Sequence, residues 1–273
     1  MKQQPWKLRA AEARIKRPSP FAPDKSELRA YKSAFKLIKD APKNALILGA
    51  TPELRDLAIK HGFKSHAVDL SKDVLKKYSS IMKYKNHKYN IPIVKNWLNM
   101  KFKDNFFGII LGDMSLNNLA TKKDNLKLVK IMKKVLAPKG MFATRHFLYL
   151  KTVKPMPLKK LLKAYRGKKI TYADFVAELR SLTYKDRVYN EKTYQYDAKK
   201  NFDLIDLDYK KGLFTEKEYR GIAPFRNNVI NTFYPEDKFI SLFEDNGFKL
   251  KKRVINKKHR FYKFFPVYIF QRE

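Results

Sequence analysis

The sequence predicts an α/β protein built on a mainly parallel sheet, and three observations carry that prediction. Short apolar runs at 45–48, 65–70, 91–97, 107–112 and 140–148 alternate with stretches of helical periodicity, the order that strands joined by crossover helices produce. The run 107–112 is apolar throughout, as a strand covered on both faces of a parallel sheet requires. The chain closes with two consecutive strand-like runs, 248–255 and 262–271, separated only by a basic turn. Two strands with no helix between them form an antiparallel hairpin.

Each element has a local reason. Residues 1–25 carry Pro5, Pro18, Pro20 and Pro23 among charges and read as an extended arm. Leu28, Tyr31, Phe35 and Ile38 recur at helical spacing and predict a helix over 24–39 ahead of the first strand. The helix over 52–61 starts on Pro52, at a first turn where the missing N–H costs least. Ser71 is the expected N-cap of a helix over 71–83. The periodic helix over 126–136 stops at Pro138-Lys139-Gly140. From 149 to 232 the alternation breaks off into a helical segment with candidate helices at 158–165, 172–182 and 202–219. A helix over 235–246 then leads into the terminal hairpin.

Composition narrows the function classes. Of 273 residues, 44% are hydrophobic and 14% aromatic, which suits a folded globule rather than a disordered chain. With no cysteine there is no disulfide, thiolate nucleophile or Cys-ligated metal. No apolar run approaches the ~18 residues of a membrane span, and the start lacks the apolar core of a secretory signal, so a cytoplasmic location is expected. The five histidines are dispersed without metal-ligand spacing. The formal charge of +35 has two readings: attraction to phosphate-rich partners, or a lysine bias spread over the whole chain. Two segments are the most one-sided, 151–169 and 249–263, each with eight basic residues and no acidic one.

Four short stretches fall at the ends of the predicted strands: Gly49-Ala50-Thr51-Pro52-Glu53, Val68-Asp69-Leu70-Ser71, Lys95-Asn96-Trp97-Leu98 and Gly112-Asp113-Met114. In this order, and with the terminal hairpin, the chain resembles the class I S-adenosylmethionine-dependent methyltransferases over 44–148 and 235–273. The resemblance implies a doubly wound seven-stranded sheet with an antiparallel last strand. Residues 1–43 would then be an arm and leading helix, and 149–234 a mainly helical insertion between the fifth strand and the following helix, forming an acceptor lid. It further implies S-adenosyl-L-methionine as cofactor, held by Gly49, Ala50, Thr51, Glu53, Asp69, Leu70, Asn96, Trp97, Asp113 and Met114. Asp69 takes the position of the carboxylate that accepts both ribose hydroxyls; the alternative is a helix-capping aspartate. Asn96 takes the position that reads the adenine amino group, with Trp97 either beside the ring or in the core. The glycine loop departs from the family pattern, keeping only its first glycine and placing Ile47 where an acidic residue is usual. The stretch 113–117 lacks the Asp/Asn-Pro-Pro-aromatic signature of base-amino methyltransferases, which argues against methylation of adenine or cytosine amino groups. A nicotinamide-binding domain is the rival fold, and the missing later glycines and the hairpin count against it.

Methyl transfer to a hydroxyl or ammonium needs a proton removed, and Asp113 and His146 are the candidate bases, with a structural role as the alternative for His146. Arg145, Lys159, Lys160 and Lys163 are the candidate acceptor- or anion-binding residues, with a solvent-facing Arg145 as the alternative. The stretch Pro224-Phe225-Arg226-Asn227-Asn228 is a further segment placed to face the mouth of the site. Tyrosines abundant in the insertion serve either as a small core or as stacking surfaces. A small-molecule acceptor is favoured over RNA, because no RNA-binding module is recognisable. The second reading is a basic nucleic-acid-binding or scaffold protein with this fold and no catalysis. The oligomeric state is not legible.

Overall fold

The computed structural model describes residues 12, 21–257 and 260–273, so most of the predicted arm over 1–25 lies outside the described residues. The leading helix α1 (Lys25–Lys36) is fixed at its start by a capping box, in which Asp24 accepts from the backbone of Ser26 and Glu27 while Glu27 reaches back to the Asp24 N–H. Next come β1 (Asn44–Leu48), α2 (Pro52–Lys60), β2 (Lys64–Asp69), α3 (Lys72–Ser80), β3 (Asn90–Val94), β4 (Phe107–Asp113), α4 (Lys122–Val135) and β5 (Leu136–Arg145). After a long excursion, α10 (Glu236–Glu244), β9 (Phe248–Val254) and β10 (Val267–Arg272) complete the main layer.

The strands form one seven-stranded sheet in the order β3-β2-β1-β4-β5-β10-β9. β1, β2, β3, β4 and β5 run parallel, and β10 is antiparallel to both β5 and β9. The order reverses at β1, between β2 and β4, so a crevice opens beyond the carboxyl ends of these strands. Side chains alternate as the pleat demands. Along β1, Leu46 and Leu48 enter one face's core, while Ala45 and Ile47 enter the other's.

Between β5 and α10 lie α5 (Leu158–Arg166), α6 (Tyr172–Ser181), α7 (Lys185–Val188), α8 (Ala198–Lys210) and α9 (Glu216–Ile222). They share a second hydrophobic core that includes Leu161, Phe175, Leu179, Phe202 and Ile205. This segment also holds a small antiparallel sheet, β6 (Tyr189–Asn190), β7 (Gln195–Asp197) and β8 (Ile230–Thr232). Strands of two or three residues are too short for the period-2 pattern to show in the sequence.

Several predicted boundaries differ, the last strand starting at Val267 rather than 262 among them. The single helix over 202–219 is two helices, α8 and α9, parted at Gly212, which adopts φ +74. β5 follows α4 directly, and Pro138-Lys139-Gly140 falls within it, beside a register irregularity against β4. The third strand stops at Val94 and gives way to a 3₁₀ turn, Trp97–Asn99. No helix among the described residues is long and apolar enough to cross a membrane.

Candidate functional site

The carboxyl ends of β1, β2 and β4 open onto a cavity of about 200 Å³. β1 ends at Gly49, whose φ of +107 is a backbone conformation that side-chain-bearing residues avoid. Its N–H donates to Val68 O at 2.8 Å, holding the turn against β2. β2 ends at Asp69, where Oδ1 accepts from Ser71 N at 2.9 Å. Ser71 Oγ itself takes the α3 cap, accepting from Val74 N at 3.2 Å. Asp69 is therefore not needed to cap the helix. Its Oδ2 lies 3.8 Å from where a Gly49 Cβ would sit, and Trp97 Cζ2 lies 3.7 Å from the same point. Burial raises the pKa of Asp69, and hydrogen bonds from Ser71 and Leu70 offset this only in part. Trp97 is anchored by its Nε1–H, which donates to Val68 O at 2.6 Å.

β4 ends at Gly112 and Asp113. A Cβ at Gly112 would meet Ser115 Oγ at 2.6 Å, and that hydroxyl is committed to Leu48 O at 2.9 Å. The next residue, Met114, has φ +56 and donates its N–H to Arg145 O at 2.8 Å, a left-handed backbone of the kind stored at functional sites. Of the sequence-predicted residues, Gly49, Ala50, Thr51, Asp69, Leu70, Trp97, Asp113 and Met114 all line this one cavity.

Six others do not. Glu53 lies in the first turn of α2, off the cavity wall. Asn96 turns its side chain onto its own 3₁₀ turn, accepting from Leu98 N at 2.8 Å, so the adenine-reading role is not in place. Lys159, Lys160 and Lys163 are exposed on α5, whose opposite face buries Leu161 and Leu162. His146 is wholly buried. Its ring stacks on Phe239 at 3.8 Å between centroids, burial pulls its pKa down to about 3, and it is not on the cavity wall. A neutral, sealed imidazole is a core side chain rather than a base.

Arg145 is also displaced from its expected part. Its guanidinium is fully buried, donating from Nε to Asp113 Oδ1 at 2.7 Å and from Nη1 to Glu27 Oε2 at 3.1 Å. A guanidinium already neutralised by two carboxylates has no free fork for a ligand. Asp113 reaches the cavity as the partner of this ion cluster.

The rest of the lining comes from segments that, apart from 225–227, carry no sequence signature. Arg180 and Ser181 at the end of α6, Asn201 and Phe202 in α8, and Phe225, Arg226, Asn227, Asn231 and Phe233 belong to it, with Tyr196 of β7. Phe21, Phe147, Phe261 and Phe265 extend the aromatic surface. Residues 225–227 line the cavity, with Arg226 paired with Asp206, Nη1 to Oδ2, at 2.9 Å. Most insertion tyrosines are tied internally: Tyr184 donates to Asp208 at 2.7 Å, Tyr189 to Phe233 O at 2.7 Å, and Tyr209 stacks on Tyr219 at 3.9 Å. No group of three or more His, Cys, Asp or Glu among the described residues is placed to hold a metal ion.

Comparison with solved structures places this architecture. The CcbJ methyltransferase from Streptomyces caelestis is 10% identical, with a TM-score of 0.58 covering 100% of this chain and 99% of that one. The glycopeptide N-methyltransferase MtfA, solved with S-adenosyl-L-homocysteine, is 13% identical, with a TM-score of 0.55 over 99% and 100%. A Rhodobacter sphaeroides protein provisionally described as a Zn-dependent alcohol dehydrogenase is 14% identical, with a TM-score of 0.60 over 97% and 98%. No protein-family model matches the sequence, and no curated protein is significantly similar to it. The fold is that of the class I S-adenosylmethionine-dependent methyltransferases. At such identities the likeness speaks for fold, and function has to be argued from the site.

Proposed function

We propose that the chain is an S-adenosylmethionine-dependent methyltransferase acting on a small molecule, with 44–148 and 235–273 as the cofactor-binding core and 149–234 as the acceptor lid. One observation carries the reading: Gly49 and the desolvated carboxylate of Asp69 stand side by side on a cavity that residues of the insertion also line. The residues fit the cofactor. The bare backbone of Gly49 leaves room for close approach by the methionine and ribose portions. Asp69 keeps Oδ2 for the ribose hydroxyls, since Oδ1 is taken by Ser71, and Trp97 offers an apolar flank for the adenine.

Bound there, S-adenosylmethionine supplies a methyl group already activated on a sulfonium. The protein's work is then alignment and exclusion of water. Asp113 is gripped by Arg145 through both carboxylate oxygens; its part is to accept a hydrogen bond from an N–H or O–H at the cavity and fix that group's direction. The aromatic enclosure favours a small acceptor over a polymer. A non-catalytic scaffold, by contrast, has no use for a carboxylate kept desolvated beside an open cavity.

Calorimetric titration of S-adenosylmethionine and S-adenosylhomocysteine into the protein tests the proposal, with Asp69→Ala as control. Micromolar binding lost in the variant is the expected result. Absence of binding to folded wild-type protein would return the basic-scaffold reading to first place.

A further inference from the structure

The cavity wall carries one guanidinium whose charge is unanswered. Arg180, at the end of α6, is half-buried, and its side chain belongs to the cavity lining. Its guanidinium carbon lies over two rings, 5.5 Å from the centroid of Phe21 and 5.0 Å from that of Phe225, which stack on one another at 5.4 Å. No carboxylate among the described residues pairs with it, in contrast to several other arginines. Arg226 has Asp206, Arg145 has Asp113 and Glu27, Arg260 has Glu178, and Arg166 has Glu218. The undescribed residues 1–11, 13–20 and 258–259 contain no aspartate or glutamate. The nearest acidic residue in sequence to that arm, Glu12, is within 3.5 Å of Lys77.

Ring faces compensate a cation only weakly, less than the desolvation of a guanidinium costs. The imbalance shows as a pKa lowered by burial to about 10, still charged at neutral pH. A group left in this state beside an open cavity is completed when a ligand brings the opposite charge.

We propose that Arg180 is the anion-recognising residue of the cavity and that the methyl acceptor carries a carboxylate, seated among the aromatic rings. The assignment rests on the methyltransferase reading of the site. A carboxylate is favoured over a phosphate because Arg180 is the one unpaired cation among the described lining residues. No lysine among the described residues lines the cavity, Arg226 is already paired, and Asp69 and Asp113 add negative charge. One planar fork matches one planar carboxylate, whereas a phosphate dianion would meet too little positive charge.

The test uses 4-hydroxybenzoate and its uncharged counterpart 4-hydroxybenzamide, titrated calorimetrically with and without saturating S-adenosylhomocysteine into wild type, Arg180→Gln and Arg180→Lys. The acid is expected to bind wild type about tenfold more tightly than the amide, from one charge-assisted contact. That preference should vanish in Arg180→Gln and persist in Arg180→Lys, with S-adenosylhomocysteine affinity unchanged in both. Lack of acid preference in wild type overturns the proposal, as does its survival in Arg180→Gln. Loss of S-adenosylhomocysteine affinity in Arg180→Gln with the acid preference intact also overturns it, by assigning Arg180 to the cofactor's carboxylate. If wild type binds no S-adenosylhomocysteine yet shows the Arg180-dependent preference, the anion site stands and the methyltransferase reading falls.

Discussion

Asp113 and Arg145 are register partners on the adjacent strands β4 and β5, and their side chains close a two-point contact, Nε to Oδ1 at 2.7 Å and Nη2 to Oδ2 at 3.2 Å. Glu27 of α1 completes the cluster, and the Tyr31 hydroxyl on the same helix donates to Gly112 O at 2.7 Å while accepting from Arg145 N at 2.6 Å. The leading helix is thereby bolted to the two strand ends that border the cavity. Removing one carboxylate from this cluster strands a buried guanidinium. Asp113→Ala is expected to lower stability by about 3–5 kcal/mol in urea denaturation. A loss below about 1 kcal/mol would mean that Glu27 alone neutralises Arg145.

Asp69 should respond in opposite directions to stability and binding assays. Its folded-state pKa is raised by burial, so the folded protein disfavours the ionised form. The stabilising contribution is present below the ordinary carboxylate pKa and is lost as pH rises through the folded value. At neutral pH the ionised side chain is therefore a burden on the ligand-free fold. Asp69→Asn is expected to raise the urea midpoint at pH 7 and to weaken S-adenosylhomocysteine binding by about ten- to a hundredfold, the worth of charge-assisted hydrogen bonds. A variant that is less stable at pH 7 and binds normally would remove Asp69 from the site.

Gly49 is held by backbone geometry rather than by space. A Cβ there would make ordinary contacts of 3.7 and 3.8 Å to Trp97 and Asp69, but φ is +107. Gly49→Ala is expected to cost about 1–3 kcal/mol through backbone strain. Its methyl group would also stand against the Asp69 edge that the cofactor needs, so calorimetry should show weakened binding. Full affinity with unchanged stability would mean the turn adopts a different conformation in solution.

Legibility in the sequence followed the range of the interactions involved. Strands β1, β2, β4 and the closing hairpin were readable because each is set by local apolar runs and turns. Asp69 was readable because it sits at a strand end about 20 residues after Gly49. Arg145 reads locally as acceptor-binding or solvent-facing, because Glu27, which neutralises it, lies 118 residues away. His146 looked like a strand-end base because nothing local shows that Phe239 of α10 folds back onto its ring. Lys159, Lys160 and Lys163 drew attention as a charge run, but the helical period that buries Leu161 and Leu162 turns all three to solvent. Arg180 was invisible for the converse reason: its surroundings are assembled from Phe21, α6 and Phe225, which no spacing rule connects.

His146 should leave its mark on acid stability instead of on catalysis. Its Nε2 lies 3.4 Å from Asn117 Nδ2, and its Nδ1 has no hydrogen-bond partner among the described residues. The folded protein holds it neutral, with a pKa near 3 against an ordinary 6.5. The unfolded chain therefore binds this proton more tightly, and stability falls as pH drops from about 6.5 toward 3, by on the order of a few kcal/mol. His66, pulled down to about 4 by burial and the charge of Lys64, adds in the same direction. His146→Phe keeps the stack on Phe239 and removes the titration, and Asn117 Nδ2 retains Phe147 O at 3.0 Å and Thr232 O at 2.8 Å. Urea denaturation at pH 7 and pH 4.5 should show a smaller acid-induced loss in the variant than in wild type. Equal losses would mean that His146 is already charged in the folded protein and exposed to solvent, and would reopen its candidacy as a base.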